Sequence, residues 1–225
     1  MESIRLNKFL AERLGISRRE ADDLISDGKV LVNKKIGVIG QKIDKSDKVC
    51  YNGEIVDFES QFLYIALNKP VGYVCSRKQQ GENPTIYDLL PEKYKPLKTV
   101  GRLDKDSSGI ILLTNDGDFA FQMTHPKFYK TKVYEVRLNR ALEPLHQQMI
   151  SDFGIEIGDG ISKLGLIKLN NERTKFQVTM SEGRNRQIRR TFEALGYSVV
   201  ELERKVFGKY QLSGLEPGKF VEFKI

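Results

Sequence analysis

Two aspartates, Asp104 and Asp106, stand in a polar loop just ahead of Ile110-Ile111-Leu112-Leu113. A short continuous apolar run of this kind marks a strand buried on both faces, and Asn115-Asp116-Gly117 supplies the turn that ends it. A carboxylate at the mouth of such a strand has the rigid support that a reactive group needs. The ordinary role of a loop aspartate is different: it bonds its own backbone and shapes the turn. The pattern alone leaves both roles open for each residue.

The densest positive cluster lies further along. Arg184, Arg186, Arg189 and Arg190 fall within seven residues, with Glu182 and Glu193 as the nearby acids. Guanidinium groups at that density suit phosphate oxygens, and the alternative is a solvated or internally paired face. The whole chain of 225 residues carries 37 Lys and Arg against 30 Asp and Glu, a formal charge of +7. Residues 1–58 hold 11 basic and 10 acidic side chains, a net +1, so the excess sits in the larger remainder. A positive balance of this kind points to nucleic acid as partner.

Other chemistries are poorly supplied. Cys50 and Cys75 are far apart, and His125 and His146 are the chain's two histidines, so neither a disulfide framework nor a zinc site is indicated. The motifs GxxxxGK[ST] and GxGxxG, which cradle phosphates, are absent. No apolar run approaches the ~20 residues that span a bilayer. The start, MESIRLNKFL, lacks the long apolar core of a signal peptide. The expectation is a cytoplasmic protein without membrane association, and, with no extended apolar patch in view, a monomer.

The elements that must carry these residues divide near Phe58. Leu6, Phe9, Leu10 and Leu14 recur at helical spacing before Gly15, and Ser17-Arg18-Arg19-Glu20 has the form of a capping box opening a second helix with Ala21, Leu24 and Ile25 on its buried side. Short strands are predicted at Val30–Val32, Lys42–Ile43 and Lys48–Tyr51. Asp57–Gln61 suits a linker. Beyond it, Tyr64–Leu67 reads as a strand, and residues 76–99 as a surface excursion with a helical turn near Ile86–Leu90. In Lys132–Leu138, alternation puts Tyr134, Val136 and Leu138 on one strand face. Ile188, Phe192 and Leu195 form a buried helical stripe with Arg189 at its border, and His125, followed by Pro126, reads as a loop cap.

The N-terminal arrangement RLNKFLAERLGISRREADDLISDGKVLVN resembles the S4 RNA-binding domain. That resemblance implies docking on structured RNA through Arg5, Lys8, Arg18 and Arg19. Gly37–Gly40 departs from the S4 pattern, which leaves the strand pairing there open. The segment GRLDKDSSGIILLTNDG is similar to the catalytic motif of the pseudouridine synthases that modify ribosomal RNA and often carry an S4 domain. Leu67–Gly72, Thr124–Lys127 with Lys132–Val136, and Glu182–Arg190 agree with the same family in order and spacing.

The two resemblances together imply the fold class α+β, with an S4 domain at 1–58 and a catalytic domain at 62–225 built on a mixed, mostly antiparallel sheet. The implied reaction detaches a uracil from its ribose, turns it, and rejoins it through C5; it needs no cofactor and no metal. Asp104 would be the catalytic carboxylate, Arg189 its buried ionic partner, and Tyr134 the platform for a flipped uridine. Asp106 would be left with the turn role. Arg102 would fill the space vacated by the base, and Arg184, Arg186 and Arg190 would face phosphates. The partner would be 23S or 16S ribosomal RNA, free or in pre-ribosomal particles. A different class of reading is a non-catalytic S4-type assembly factor that binds ribosomal RNA. A glycosidase would need a second carboxylate in the same pocket, for which Asp106 is a weak candidate.

Overall fold

The helical spacing of Leu6, Phe9 and Leu10 buries all three side chains together with Ala11. In the computed structural model, which describes residues 3–58, 61–77 and 80–225, these belong to the first of two units. That unit takes in the chain through Leu63 with Glu92–Lys98 and Thr114–Gly117; the second takes in Tyr64–Pro91, Thr99–Leu113 and Asp118–Ile225.

In the first unit, β1 (Ile4–Arg5) leads into α1 (Leu6–Arg13) and α2 (Arg18–Ser26). The capping box forms as expected: the Ser17 hydroxyl accepts from the Glu20 amide at 3.1 Å, and the Glu20 carboxylate accepts from the Ser17 amide at 2.6 Å. Then come β2 (Val30–Val32), β3 (Lys35–Ile36), β4 (Lys42–Ile43), β5 (Val49–Tyr51) and β6 (Glu54–Val56). Four of them form a sheet in the order β3-β2-β5-β6, and β1 pairs with β4. Gly37 lies against the helical layer, where a Cβ would come within 2.9 Å of Leu6. Of the expected linker, Glu59 and Ser60 lie outside the described residues. Phe58 is no linker residue: its ring stacks 4.3 Å from that of Phe9, and its carbonyl accepts from Arg13.

The second unit is built on a sheet of β7 (Tyr64–Lys69), β8 (Lys98–Val100), β9 (Ser108–Thr114), β10 (Lys132–Leu138), β13 (Gly165–Lys168), β14 (Lys175–Met180), β15 (Val199–Phe207), β16 (Tyr210–Gln211) and β17 (Phe220–Glu222). A separate small hairpin joins β11 (Ile155–Glu156) to β12 (Ile161–Ser162). The main order is β13-β14-β10-β15-β9-β7-β17, with β16 on β15 and β8 on β9. Antiparallel pairing dominates, and β9 runs parallel to β15, so the sheet is mixed as expected. Helices α3 (Gly117–Thr124), α4 (Pro144–Gln148) and α5 (Gln187–Glu193) complete the α+β architecture.

The apolar run at the centre of β9 is buried throughout, from Gly109 to Thr114. Ile110 and Leu112 pack with Ala66, Val100, Phe119, Met123 and Phe207. In residues 76–99, of which 78 and 79 lie outside the described residues, the expected helical turn forms at Ile86–Leu89 and most polar side chains are exposed. Buried apolar residues, however, extend beyond the expected patch. Ile86, Tyr87, Leu90, Tyr94 and Leu97 are all buried, so apolar anchors spaced along a polar segment tie it down. No helix among the described residues is long and apolar enough to cross a membrane.

Candidate active site

A cleft of about 500 Å³ opens in the second unit, lined among others by Arg102, Asp104, Lys132, Tyr134, Arg186 and Arg204. Its geometry starts at the loop before β9. The Ser107 amide donates to the Asp104 carbonyl at 3.1 Å, closing a tight turn over Asp104–Ser107. The residues that end β7 hold that turn from below. Lys69, fully buried, donates its ammonium to the carbonyls of Ser107 at 2.5 Å and Pro70 at 3.0 Å, and the Gly72 amide donates to the Lys105 carbonyl at 2.8 Å. Burial pushes the Lys69 ammonium down to about 8, against the pull of Cys75, Asp106 and Asp104 and with help from Arg204. On the far side Gly109, at φ +108°, lies so close to β15 that a Cβ would fall 2.2 Å from the Arg204 carbonyl oxygen. Only glycine lets β9 join β15 there, directly after the aspartate loop.

The turn sends its two carboxylates to different places. Asp104 faces the cleft with its side chain 38% exposed, and its nearest arginine nitrogen is Arg186 Nη1 at 3.7 Å. Asp106 instead takes a bidentate pair from Arg186, both contacts at 3.1 Å, with Arg189 Nε at 3.2 Å. Burial works to raise the Asp106 carboxyl, but the hydrogen bond and charge of Arg186 and the charge of Arg189 outweigh it and hold the group below the usual range. Arg186 opens α5 in the left-handed region at φ +47°, its guanidinium fixed by that pair.

Two expectations are therefore corrected. Arg189 pairs with Asp106, not Asp104; it also donates to the carbonyls of Asp106 and Val199, each at 2.7 Å. Asp106 is more than a turn former, since it joins the loop to α5. The physical reason lies in exposure. A carboxylate that keeps its contact with the open cleft needs no buried counter-ion, so the arginine is free to staple the loop from behind.

Arg184 and Arg190, expected to face phosphates, are bound to acceptors of the chain itself. Arg184 donates to the carbonyls of Asp159, Gly160 and Ile161 and to the carboxylates of Asp159 and Glu182. Arg190 meets Asp159 at 2.6 Å. Together they brace the β11–β12 hairpin. Arg102 is exposed on the cleft wall. Tyr134, Val136 and Leu138 are buried along β10 as the alternation predicted, with Tyr134 on the cleft. His125 caps the turn after α3, its ring Nδ1 accepting from the Lys127 amide at 3.3 Å.

In the first unit Arg5 precedes α1, and Arg18 at the head of α2 donates to Asn7 at 3.3 Å, which sets the two helix starts side by side. Arg19 is exposed beside it, and Lys8 meets Glu12 at 3.9 Å.

Sequence reasoning gave no role to Lys69, Lys132 or Arg204. The signals were there: Lys69 ends an apolar strand, and Arg204 follows Leu202 by two, on the inward face of β15. Burial, followed by the charge of Arg204, lowers the Lys132 ammonium, with Glu182 working the other way.

Comparison with known proteins identifies the family. A family model described as RNA pseudouridylate synthase matches residues 63–194, and the S4 domain model matches residues 4–36. The ribosomal large subunit pseudouridine synthase B of Bacillus subtilis (strain 168) is 36% identical, over 95% of this chain and 89% of its own. The ribosomal small subunit pseudouridine synthase A of Pasteurella multocida (strain Pm70) is also 36% identical, over 93% and 90%. A crystal structure of a pseudouridylate synthase superposes with a TM-score of 0.70 at 32% identity, covering 98% of this chain and 96% of that one. With its fold, the family models and these relatives in agreement, the chain belongs to the RNA pseudouridylate synthase family and carries an S4 domain ahead of the synthase fold.

Proposed function

We propose that this protein converts a uridine of ribosomal RNA to pseudouridine, with Asp104 as the catalytic carboxylate and Tyr134 as the surface on which the target base rests. One observation carries the reading: Asp104 and Tyr134 share the wall of one cleft of about 500 Å³, a size that suits a nucleoside. The relatives from Bacillus subtilis and Pasteurella multocida are named for the large and small ribosomal subunits, which supports ribosomal RNA, 23S or 16S, as the substrate class.

The chemistry follows from what the reaction must do. A uridine stacked or paired in RNA has to be extruded before its base can turn, and Arg102 on the cleft wall is in place to occupy the gap. Breaking the bond between C1′ and N1 leaves C1′ electron-poor, and the Asp104 carboxylate is the group that answers that charge. The freed base stays stacked on Tyr134, turns, and bonds C1′ through C5; the C5 proton then leaves. Atoms are rearranged within one nucleotide without net oxidation or hydrolysis, so the reaction calls for no cofactor. Arg189, Arg186 and Asp106 act as positioning residues that fix the loop bearing Asp104. Arg5, Lys8, Arg18 and Arg19 supply the RNA-docking surface of the S4 domain at 1–58, ahead of the catalytic domain at 62–225.

The test is a map of pseudouridine by carbodiimide-dependent reverse-transcription stops on unmodified ribosomal RNA. Wild-type protein should create a defined stop, and Asp104→Asn should reduce its rate at least about a thousandfold with RNA affinity kept. Equal stops with both proteins, or none with either, would return the chain to the class of RNA-binding assembly factors.

A further inference from the structure

We propose that Arg204 is a further catalytic residue, donating a hydrogen bond from its guanidinium to a carbonyl oxygen of the target uracil and stabilising the negative charge the base acquires as it leaves the ribose. This rests on the pseudouridine reading of the same cleft.

Arg204 is 2% exposed. Its Nε donates to the Ile110 carbonyl at 2.8 Å, and its guanidinium carbon lies 4.8 Å from the centre of the Phe207 ring, which lines the same cleft. Its Nη2 is buried without a hydrogen-bond partner, and no carboxylate among the described residues pairs with it. A buried arginine is ordinarily matched by a carboxylate or capped by acceptors, because an uncompensated donor is expensive to keep out of water. Such a group on a cleft wall is a site waiting for an acceptor.

Register says which acceptor. Tyr134 of β10 stands directly opposite Arg204 of β15, so the two side chains leave the sheet on one face as near neighbours. Between Val133 and Tyr134 the register shifts, making Lys205 the extra residue of a bulge, a device that re-aims the side chain beside it. A base stacked on Tyr134 thus lies beside the Arg204 guanidinium. A phosphate, tied to the RNA backbone, stays at the mouth of the cleft and not at so buried a position.

The local charge has the matching sign. Lys132, with its ammonium on the Glu182 carbonyl at 3.0 Å, also lines the cleft, and Lys69 is buried beneath the aspartate loop. Asp106 is engaged by Arg186 and Arg189, and the Glu182 carboxylate accepts from Arg184 and Gln187, which leaves Asp104 as the least engaged of the carboxylates near this group of cations. When the bond between C1′ and N1 breaks, its electron pair stays with the base and spreads from N1 to O2 and O4. Asp104 answers the positive C1′, and Arg204 answers the negative base. The same pair count is restored when C5 bonds C1′, the C5 proton departs and N1 takes up a proton. Arg204 neither gives nor takes a proton. Its contribution is a donor aimed where charge develops.

The experiment compares two RNAs that differ at the target uridine, one carrying uridine and one 5-fluorouridine. Fluorine makes the departing base a more stable anion, so it relies less on Arg204. Consumption of each nucleoside is followed in single turnovers, after digestion and chromatography. Arg204→Met should slow uridine about 100-fold or more and 5-fluorouridine distinctly less, with RNA affinity unchanged. Arg204→Lys, which keeps the charge, should recover part of the loss. Equal slowing on both RNAs, or a loss confined to affinity, overturns the proposal in favour of a structural or phosphate-binding arginine. If Arg204→Met fails to fold by thermal melting, Arg204→Lys decides by the same ratio: a smaller loss on 5-fluorouridine than on uridine supports the role, and equal loss overturns it. A wild-type protein that consumes neither RNA overturns the pseudouridine reading itself, a result distinct from equal slowing.

Discussion

At the start of α2 in the N-terminal unit, Arg18 and Arg19 stand exposed, with Arg18 held by a single 3.3 Å bond to Asn7. In the synthase unit the four arginines between 184 and 190 are tied to Asp159, Glu182, Asp106 and a series of backbone carbonyls. The first unit has a net charge of +1 in residues 1–58 and keeps Arg5, Arg18 and Arg19 exposed, while Arg13 is tied to the Phe58 carbonyl. The second has most of the excess and uses much of it internally. Density of positive charge along a chain is therefore a poor measure of what is available to a phosphate; what matters is how many acceptors the fold brings to each guanidinium.

The sharpest way to break this contrast is at Arg189. If it is a staple, Arg189→Ala should collapse turnover by about 100-fold or more while RNA affinity changes little, because the loop carrying Asp104 loses its support. Loss of charged hydrogen bonds to two carbonyls should remove about 2 kcal/mol of stability, a fall of about 4–8 °C in melting temperature. Weak binding with normal turnover at saturating RNA would place Arg189 among the phosphate contacts instead. The converse variant, Arg18→Ala with Arg19→Ala, should leave melting unchanged within about 1 °C. It should weaken RNA binding about tenfold at moderate salt and lower the slope of affinity against salt by up to about 2. An unchanged salt slope would mean that the exposed arginines do not meet phosphate.

Much of this layout was legible in the residues. The Ser17–Glu20 capping box, the buried run of β9, the face of β10 with Tyr134 and the loop-capping His125 are local patterns, and local patterns survive folding. What was hidden depends on non-local pairing. The sheet order, with β15 lying between β9 and β10, cannot be read from alternation, yet it is what brings Arg204 beside Tyr134. The partner of Arg189 was hidden for a smaller reason. Asp104 and Asp106 are two residues apart, and only the turn closed by the Ser107 amide decides which carboxylate faces the cleft and which faces α5.

A weaker probe of the same contrast is Asp159, whose carboxyl is held low, first by its hydrogen bond from Arg190 and against burial. Asp159→Asn keeps the shape and removes the charge that occupies Arg184 and Arg190. The expected result is a fall in melting temperature smaller than that of Arg189→Ala, with RNA affinity equal or tighter in a filter-binding titration. Weaker binding would show that this hairpin, and not its arginines, meets the RNA.

The smallest effect is expected at Lys69, the most deeply internal of these cations. Its ammonium is lowered from the ordinary 10.5 to about 8 in the folded chain, burial being the first cause. Below pH 8 it is charged both folded and unfolded, so the full penalty of burying it is present. Between pH 8 and 10.5 the folded chain releases the proton while the unfolded chain retains it. The unfolded state then binds more protons, and Lys69's contribution to stability must rise with pH across that window. The weakening of its bonds to the Ser107 and Pro70 carbonyls on loss of the proton is already part of this balance, because those bonds help set the folded-state value. Lys69→Met removes the titration and keeps the bulk. The melting temperature of wild type minus that of Lys69→Met should therefore climb from pH 8 to pH 10. A flat difference would mean that Lys69 keeps an ordinary proton affinity, as an exposed cation does, and the contrast between surface and internal charge would fail at the position where it should be steepest.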